Sequence, residues 1–409
     1  MKKEISFQKE KVSVLLLEGI HPAAVETFSE SDYSVRLVRN AMSEKELLGA
    51  MASVHVLGIR SRTQVTLPVL RASRRLLAVG CFCIGTNQVD LGAASFFGVP
   101  VFNAPFSNTR SVAELTIAEV VMLARKASHR SLQLHAGHWE KSTAGSMEVR
   151  TKTIGIVGYG HIGSQVGALA ESFGMRVVFY DIGRKLSLGN AVPVGSLRKL
   201  LEVSDFVTLH VPETPQTRNM IGRKELAAMK KGSHLLNLSR GSVVDLPALA
   251  AALRSKHLAG AAVDVFPVEP EPGEASFENA LRGLENVILT PHIGGSTEEA
   301  QKNIGIEVAS SLIKYTDTGS STGAVNFPQV ELPLLRGSHR VLNIHRNVPG
   351  VLSNINRIVA EMGVNIRSQY LGTMNDVGYL IMDVDRNLSG EVKKEIDALD
   401  TTIRTRVLF

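Results

Sequence analysis

The sequence predicts an α/β chain: two doubly wound parallel sheets followed by a small β-α-β-β-α-β unit. Three observations carry this. Short apolar runs alternate with amphipathic stretches in two successive series, the pattern of parallel strands joined by crossover helices. A glycine-rich turn, Gly158-Tyr159-Gly160-His161-Ile162-Gly163, directly follows the first strand of the second series. Residues 338–409 then read strand, helix, strand, strand, helix, strand, a ferredoxin-like split unit.

In the first series Val12–Leu17, Ser34–Val38, Val54–Ile59, Leu76–Val79 and Pro100–Phe102 read as buried strands, with helices beginning near Pro22, Ser43, Thr66 and Gln88. One long helix is expected from about Thr109 to His135, capped by the oxygens of Ser107, Asn108 and Thr109 and stopped at Gly137. That is roughly 40 Å of helix, long enough to pass between domains. The second series opens at Thr153–Val157 and continues through Val177–Tyr180, Phe206–His210, His234–Asn237, Ala261–Val265 and Val287–Leu289. A helix near Thr297–Tyr315 leads away from it, and Leu332–Ser338 reads as a linker. The last unit predicts elements at Arg340–Arg346, Pro349–Met362, Asn365–Leu371, Gly378–Asp385, Ser389–Leu399 and Thr402–Leu408. Two Rossmann/flavodoxin-like domains result, residues 1–107 with 296–330 and residues 108–295, and a third domain at 338–409.

Composition narrows the function. The net charge of +6 comes without a lysine-arginine block, which argues against nucleic acid; attraction of an anionic metabolite and plain surface composition both remain open. No apolar run reaches the ~20 residues that span a bilayer, and no leader with a cleavage site is evident. Cys81 and Cys83 are the only cysteines, too few for a disulfide framework or a zinc site. They suit a reduced, cytoplasmic chain, and no metal is expected.

The glycine turn has a physical reading at each position. Gly158 permits the tight turn, Gly160 lets backbone N–H groups approach a pyrophosphate, and Gly163 lets helix and strand pack closely. The helix that opens there stabilises the phosphate charge. Asp181 stands 23 positions after Gly158, at the end of the next strand. Its carboxylate would accept the adenine-ribose hydroxyls and repel a 2′-phosphate, so NAD is the expected cofactor.

Hydride transfer from a secondary alcohol needs a base, a cation for the neighbouring carboxylate and a shielded cofactor. Three segments end successive strands of the second series: Asn237–Gly241 with Arg240, Asp264–Pro270 with Glu269, and Thr290–Gly295 with His292. Ligands of open α/β sheets bind at those strand ends.

These segments resemble the signatures of the D-isomer-specific 2-hydroxyacid dehydrogenases, and Arg240, Glu269 and His292 match the family's catalytic set one for one. The resemblance implies that His292 exchanges the hydroxyl proton, Glu269 fixes its tautomer and Arg240 holds the carboxylate. It also implies that His161, Ile162, His210-Val211-Pro212, Leu238, Ser239, Asp264, Gly294 and Gly295 line the cofactor. The Gly58–Thr63, Gly80–Asp90 and Asn103–Glu114 stretches resemble the phosphoglycerate-oxidising branch of that family. There Arg60, Ser61 and Arg62 would hold a phosphate, with Asn108 and a neighbouring subunit's Lys141 adding to the site and Arg39 adding charge. Trp139 reads equally well as a subunit contact or as core.

Residues 338–409 resemble an ACT domain, the regulatory module of amino-acid metabolism. Pro349 would sit near N1 of its first helix, and His345, Asn347, Gly350 and Asn365 would hold L-serine across paired modules. The whole resemblance, from about residue 10 onward, implies NAD-dependent oxidation of D-3-phosphoglycerate to 3-phosphohydroxypyruvate in a serine-inhibited homotetramer. Side reduction of 2-oxoglutarate is compatible with the same arginines. The competing expectations are another D-2-hydroxyacid dehydrogenase, such as a glyoxylate or hydroxypyruvate reductase, and a non-catalytic NAD-sensing protein.

Overall fold

The computed structural model describes residues 9–270, 277–335, 337–385 and 389–408; Arg336 of the expected linker lies outside them. The chain forms two compact units, Met1–Ser107 with Gln301–Phe409, and Asn108–Ala300.

The first unit begins β1 (Ser13–Leu16), α1 (Pro22–Glu30), β2 (Ser34–Leu37), α2 (Glu44–Ala50), β3 (Val56–Ile59), α3 (Leu67–Ala72), β4 (Ala78–Cys81), α4 (Leu91–Phe96) and β5 (Val101–Asn103). The strands pair in parallel in the order β2-β1-β3-β4-β5, the flavodoxin-like arrangement. Alternation along each strand feeds two cores: Leu16 and Val56 face one, with Phe28 and Phe102, while Leu15 and Leu57 face the other, with Val69 and Val79. The helices start where side chains can cap them. Asp90 accepts the Ala93 N–H at 2.9 Å, and Ser43 with Glu46 closes a capping box on α2.

The second unit holds α5 (Thr109–Arg125), α6 (Ala127–His135), β6 (Thr153–Val157), α7 (His161–Ser172), β7 (Arg176–Tyr180), β8 (Val192–Pro193), α8 (Leu197–Val203), β9 (Phe206–Leu209), α9 (Arg223–Ala228), β10 (His234–Asn237), α10 (Leu246–Arg254), β11 (Gly260–Val263) and β12 (Val287–Leu289). Its parallel sheet runs β12-β11-β10-β9-β6-β7-β8, so the strand order reverses between β6 and β9. The expected single helix over 109–135 is two helices. Lys126 turns left-handed at φ +53°, and its N–H bonds back to the Met122 and Leu123 carbonyls. Beyond that break α6 buries no residue, so no packing energy rewards a straight continuation.

The helix α11 (Glu298–Thr318) runs from the second unit back into the first. The C-terminal module follows as β13 (His339–Arg346), α12 (Val351–Glu361), β14 (Ile366–Met374), β15 (Val377–Val384), α13 (Ser389–Asp397) and β16 (Thr402–Leu408). Its antiparallel sheet is ordered β14-β15-β13-β16. One face packs on α12 and α13 through Val341, Ile355, Leu380 and Val392. The other sends Leu342, Ile344, Tyr379 and Ile381 into the core shared with Phe102 and Tyr315. Every residue of β15 is therefore buried. The segment read as a linker is tied down as well: Arg340 donates to the Leu332 and Pro333 carbonyls at 2.8 and 2.7 Å. Pro349 does not sit at N1, because Gly350 takes φ +91° as the N-cap and the helix begins at Val351.

Candidate active site

In the second unit the sequence-derived residues fall at the carboxyl ends of parallel strands. Gly158 follows β6, Asp181 follows β7, His210 to Pro212 follow β9, Leu238 to Arg240 follow β10, Asp264 follows β11 and His292 to Gly295 follow β12.

The glycine turn lies at the strand-order reversal. Gly158 adopts φ +90°, and a Cβ there would collide with the His210 carbonyl on β9's exit. A Cβ on Gly163 would strike the Gly158 carbonyl, so helix and strand meet backbone to backbone. A Cβ on Gly160, the N-cap of α7, would meet nothing within 4 Å. That open approach over twelve helical residues fits a pyrophosphate. Asp181 receives the Tyr159 and Gly183 N–H groups at 2.9 Å each, one on each carboxylate oxygen. Each oxygen keeps a free lone pair, which fits the ribose-hydroxyl acceptor expected there. His210 Nε2 lies 3.0 Å from Thr208 Oγ1, while its buried Nδ1 has no partner among the described residues. Burial pushes the imidazole down to about 3, so it is neutral. An unmatched polar atom at this rim fits a polar group of a bound dinucleotide.

Arg240, Glu269 and His292 come together. Gly241 packs its backbone on the Phe266–Pro267 peptide, which sets the Arg240 turn beside the loop carrying Glu269. His292 Nδ1 is 2.9 Å from Glu269 Oε2, and Glu269 Oε1 receives the Phe266 N–H at 3.2 Å. The Glu269 bond lifts the imidazole above its ordinary value, against burial and the Arg240 charge. Burial works to raise Glu269, but the bonds from His292 and Phe266 outweigh it, and the carboxyl sits below its usual range. The charged carboxylate therefore accepts from Nδ1–H, which leaves Nε2 as the working nitrogen. Arg240 donates to its neighbour's Ser239 carbonyl at 2.7 Å.

Asp264 braces the turn that carries His292. It is 1% exposed and receives Thr290 Oγ1–H at 2.6 Å and the Ile293 and Gly294 N–H groups at 2.8 Å each. The carboxylate is committed to the turn that carries His292, which adopts a left-handed φ of +55°. Such a conformation in a residue with a side chain is held by its surroundings and is common at catalytic positions. Ser239 is turned back onto Asn237 at 2.9 Å, and Gly295 fits against the Asn108 side chain. Asn108 Oδ1 is buried without a partner among the described residues.

Sequence reasoning missed Glu119. It lies on α5, is 1% exposed, and neither carboxylate oxygen has a partner among the described residues. Burial, with the Asp264 charge, raises it to about 8. The signal was an acid among the buried Thr116, Ile117 and Val120 positions of an otherwise apolar helix face.

In the first unit the Arg60–Thr63 turn follows β3. A second residue missed in the sequence organises it: Glu18 accepts the N–H groups of Ser61, Arg62 and Thr63 at 3.1, 3.0 and 2.8 Å. Burial opposes the charge on Glu18, but these bonds outweigh it and hold the carboxyl below its ordinary value. Because the turn's N–H groups are taken, its side chains, the two guanidinium groups and the Ser61 hydroxyl, are what it can offer an anion. Neither Arg60 nor Arg62 has a carboxylate partner among the described residues.

In the C-terminal module His345 is 2% exposed, its Nδ1 2.8 Å from Asn343 Oδ1 and its ring over Gly378 on β15. Asn347 is exposed and donates to the Asn375 carbonyl at 3.0 Å, and Asn365 is exposed before β14. Lys141 lies on an exposed loop of the second unit with Trp139, which is 81% exposed and so is not core.

Comparison with known proteins gives the lineage. The chain is 53% identical over 409 residues to the D-3-phosphoglycerate dehydrogenase of Escherichia coli K12, covering 99% of this chain and 100% of that protein. This chain belongs to the D-3-phosphoglycerate dehydrogenase family. It is 52% identical over 404 residues to the enzyme of that name from Dictyostelium discoideum, covering 99% of each. Residues 117–294 match the NAD-binding domain of the D-isomer-specific 2-hydroxyacid dehydrogenases, and residues 342–404 match the acetohydroxyacid synthase small-subunit-like ACT domain. The crystal structure of Aquifex aeolicus D-lactate dehydrogenase complexed with NAD and lactic acid aligns at a TM-score of 0.63 and 27% identity, over 74% of this chain and 95% of that one. The second unit is thus an NAD-binding domain, and the last module is an ACT domain.

Proposed function

We propose that this chain oxidises D-3-phosphoglycerate to 3-phosphohydroxypyruvate. The observation that carries the reading is the His292–Glu269 pair beside Arg240, in a chain similar from end to end to proteins of that name. The Gly158–Gly163 turn and Asp181 would hold NAD, which would supply the hydride acceptor. His292 Nε2 removes the hydroxyl proton, and Glu269 accepts the Nδ1–H bond that keeps Nε2 aimed and basic. Arg240 grips the carboxylate and polarises the carbonyl that forms. Arg60 and Arg62 supply cations for the phosphate, with Ser61, Asn108 and Lys141 in supporting roles.

L-serine is the proposed effector, held at Asn347, Gly350, Asn365 and the His345 strand end of the ACT domain. We read the protein as a cytoplasmic homotetramer. Exposed Leu132, Leu134 and Trp139 support a subunit contact along α6, and both cysteines are free. Among the described residues no helix is long and apolar enough to cross a membrane. The deciding assay is NADH formation from D-3-phosphoglycerate, repeated with lactate, glyoxylate and hydroxypyruvate and with added L-serine. A preference for an unphosphorylated acid would overturn the substrate.

A further inference from the structure

A cleft of about 940 Å³ lies within the first unit, between the α3 and α4 ends of the five-stranded sheet and the ACT domain. Its lining is strongly cationic. Arg71 and Arg74 come from the end of α3, Arg346 from the end of β13 and Arg404 from β16; Asp376 is the one carboxylate in the lining. None of the four guanidinium groups has a carboxylate partner among the described residues.

Arg404 makes the imbalance acute. It is largely enclosed, and among the described residues it bonds to neutral acceptors, the carbonyls of Leu76 and Arg74. Its enclosure lowers its hold on the proton, the Tyr315 hydroxyl opposes that, and the nearby Arg406 adds to it. Arg406 lies outside the lining: it reaches the Thr316 carbonyl and sits over the Tyr315 ring at 5.5 Å. Enclosed charges are ordinarily neutralised by an opposite charge. Here the enclosed Arg404 shares one cleft with the exposed Arg71, Arg74 and Arg346, which come from two other segments. Phe96, 65% exposed, with Phe97, Leu70 and Ile403 forms an apolar stretch of the wall, beside the polar Ser95, Asn326 and Thr402.

We propose that this cleft is a second anion site, taking an organic phosphate whose planar or apolar body lies against Phe96 and Ile403. Guanidinium forks match phosphate oxygens in pairs, and the volume is that of a small-molecule site rather than of a lone inorganic ion. The floor is preformed. Asn347 bonds the Asn375 carbonyl through its side chain and the Asp376 carbonyl through its N–H, which holds the β14–β15 hairpin against the end of β13. Because its walls belong to the sheet and to the ACT domain, an occupant would bind both and stiffen their junction. The proposal does not depend on the reaction assigned above.

Phenyl phosphate and inorganic phosphate are the probes, titrated calorimetrically into the full chain saturated with NADH. The expected result is binding of phenyl phosphate at least tenfold tighter than inorganic phosphate, weakening as salt rises. The Arg71→Gln/Arg346→Gln variant, altered at two exposed positions, should lose at least tenfold in affinity while its turnover stays within twofold. The Arg60→Ala/Arg62→Ala variant should keep the event. Unchanged heats in the Arg71/Arg346 variant would overturn the proposal, as would loss of binding in the Arg60/Arg62 variant alone. As a second readout, phenyl phosphate should raise the melting temperature of the unmodified chain and not that of Arg346→Glu; equal shifts would also sink it.

Discussion

His292 Nδ1 stands 2.9 Å from Glu269 Oε2, and the two residues arrive on different strand exits of one parallel sheet. The bond decides which imidazole nitrogen works. His292→Ala should lower kcat by at least ~100-fold, the scale of a lost general base, with NADH binding by fluorescence nearly intact. Retained turnover would remove His292 from the mechanism.

The same bond sets a pH dependence. Oxidation needs the neutral imidazole, and the Glu269 bond raises the proton affinity of His292. The acid limb of kcat/KM therefore lies above the ordinary histidine range. Glu269→Gln removes the charge that holds the imidazolium, so its acid limb should move to lower pH while kcat falls. A profile that keeps its position would disconnect Glu269 from the base.

Asp181 closes the β7 exit with two backbone bonds, one on each carboxylate oxygen. NAD should outperform NADP by a factor on the order of 100, as a repelled charge requires. Asp181→Ala should narrow that ratio. Equal kcat/KM for both cofactors in the unmodified chain would refute the assignment.

Glu119 holds its proton to about pH 8 in the folded state, whereas the unfolded chain releases it near the ordinary carboxyl value. The folded state thus binds more protons through that window, so stability falls as pH rises from about 5 to 8, by up to about 1.4 kcal/mol per unit. Glu119→Gln should flatten the slope and raise the melting temperature at pH 8. A slope that survives the substitution would mean that another group carries it.

Arg340 and Asp383 form a two-pronged buried pair at 2.7 and 2.8 Å, and Arg340 also reaches the Thr318, Leu332 and Pro333 carbonyls. Asp383→Ala leaves that cation uncompensated, at a cost of about 3–5 kcal/mol. Urea denaturation measures it. A loss under 1 kcal/mol would show that the carbonyls alone suffice.

Asn347→Ala should abolish the response to L-serine and keep the unliganded rate. Titrating both proteins with serine decides between a ligand at this strand end and one elsewhere, because only differential affinity can shift the enzyme between states.

Much of this was legible in the sequence because the signals are local. Apolar runs of strand length, a glycine turn after a strand and acids or cations at strand ends are read within a few residues of each other. They determined both parallel sheets and the cofactor turn and put Arg240, Glu269 and His292 at successive strand ends, while the roles of those three came from the family resemblance. The tertiary structure alone decided which groups meet over long separations. Glu18 beneath the Arg60 turn, Asp264 committed to the His292 turn, and Tyr379 and Ile381 pressed into the core of the first unit have no spacing that announces them. The break at Lys126 belongs with these: helix propensity continues through it, yet Lys126 turns left-handed and the helix beyond it buries no residue. A hydrogen bond or a buried face is defined by its partner, and the partner's place in the chain is settled only when the sheet has closed.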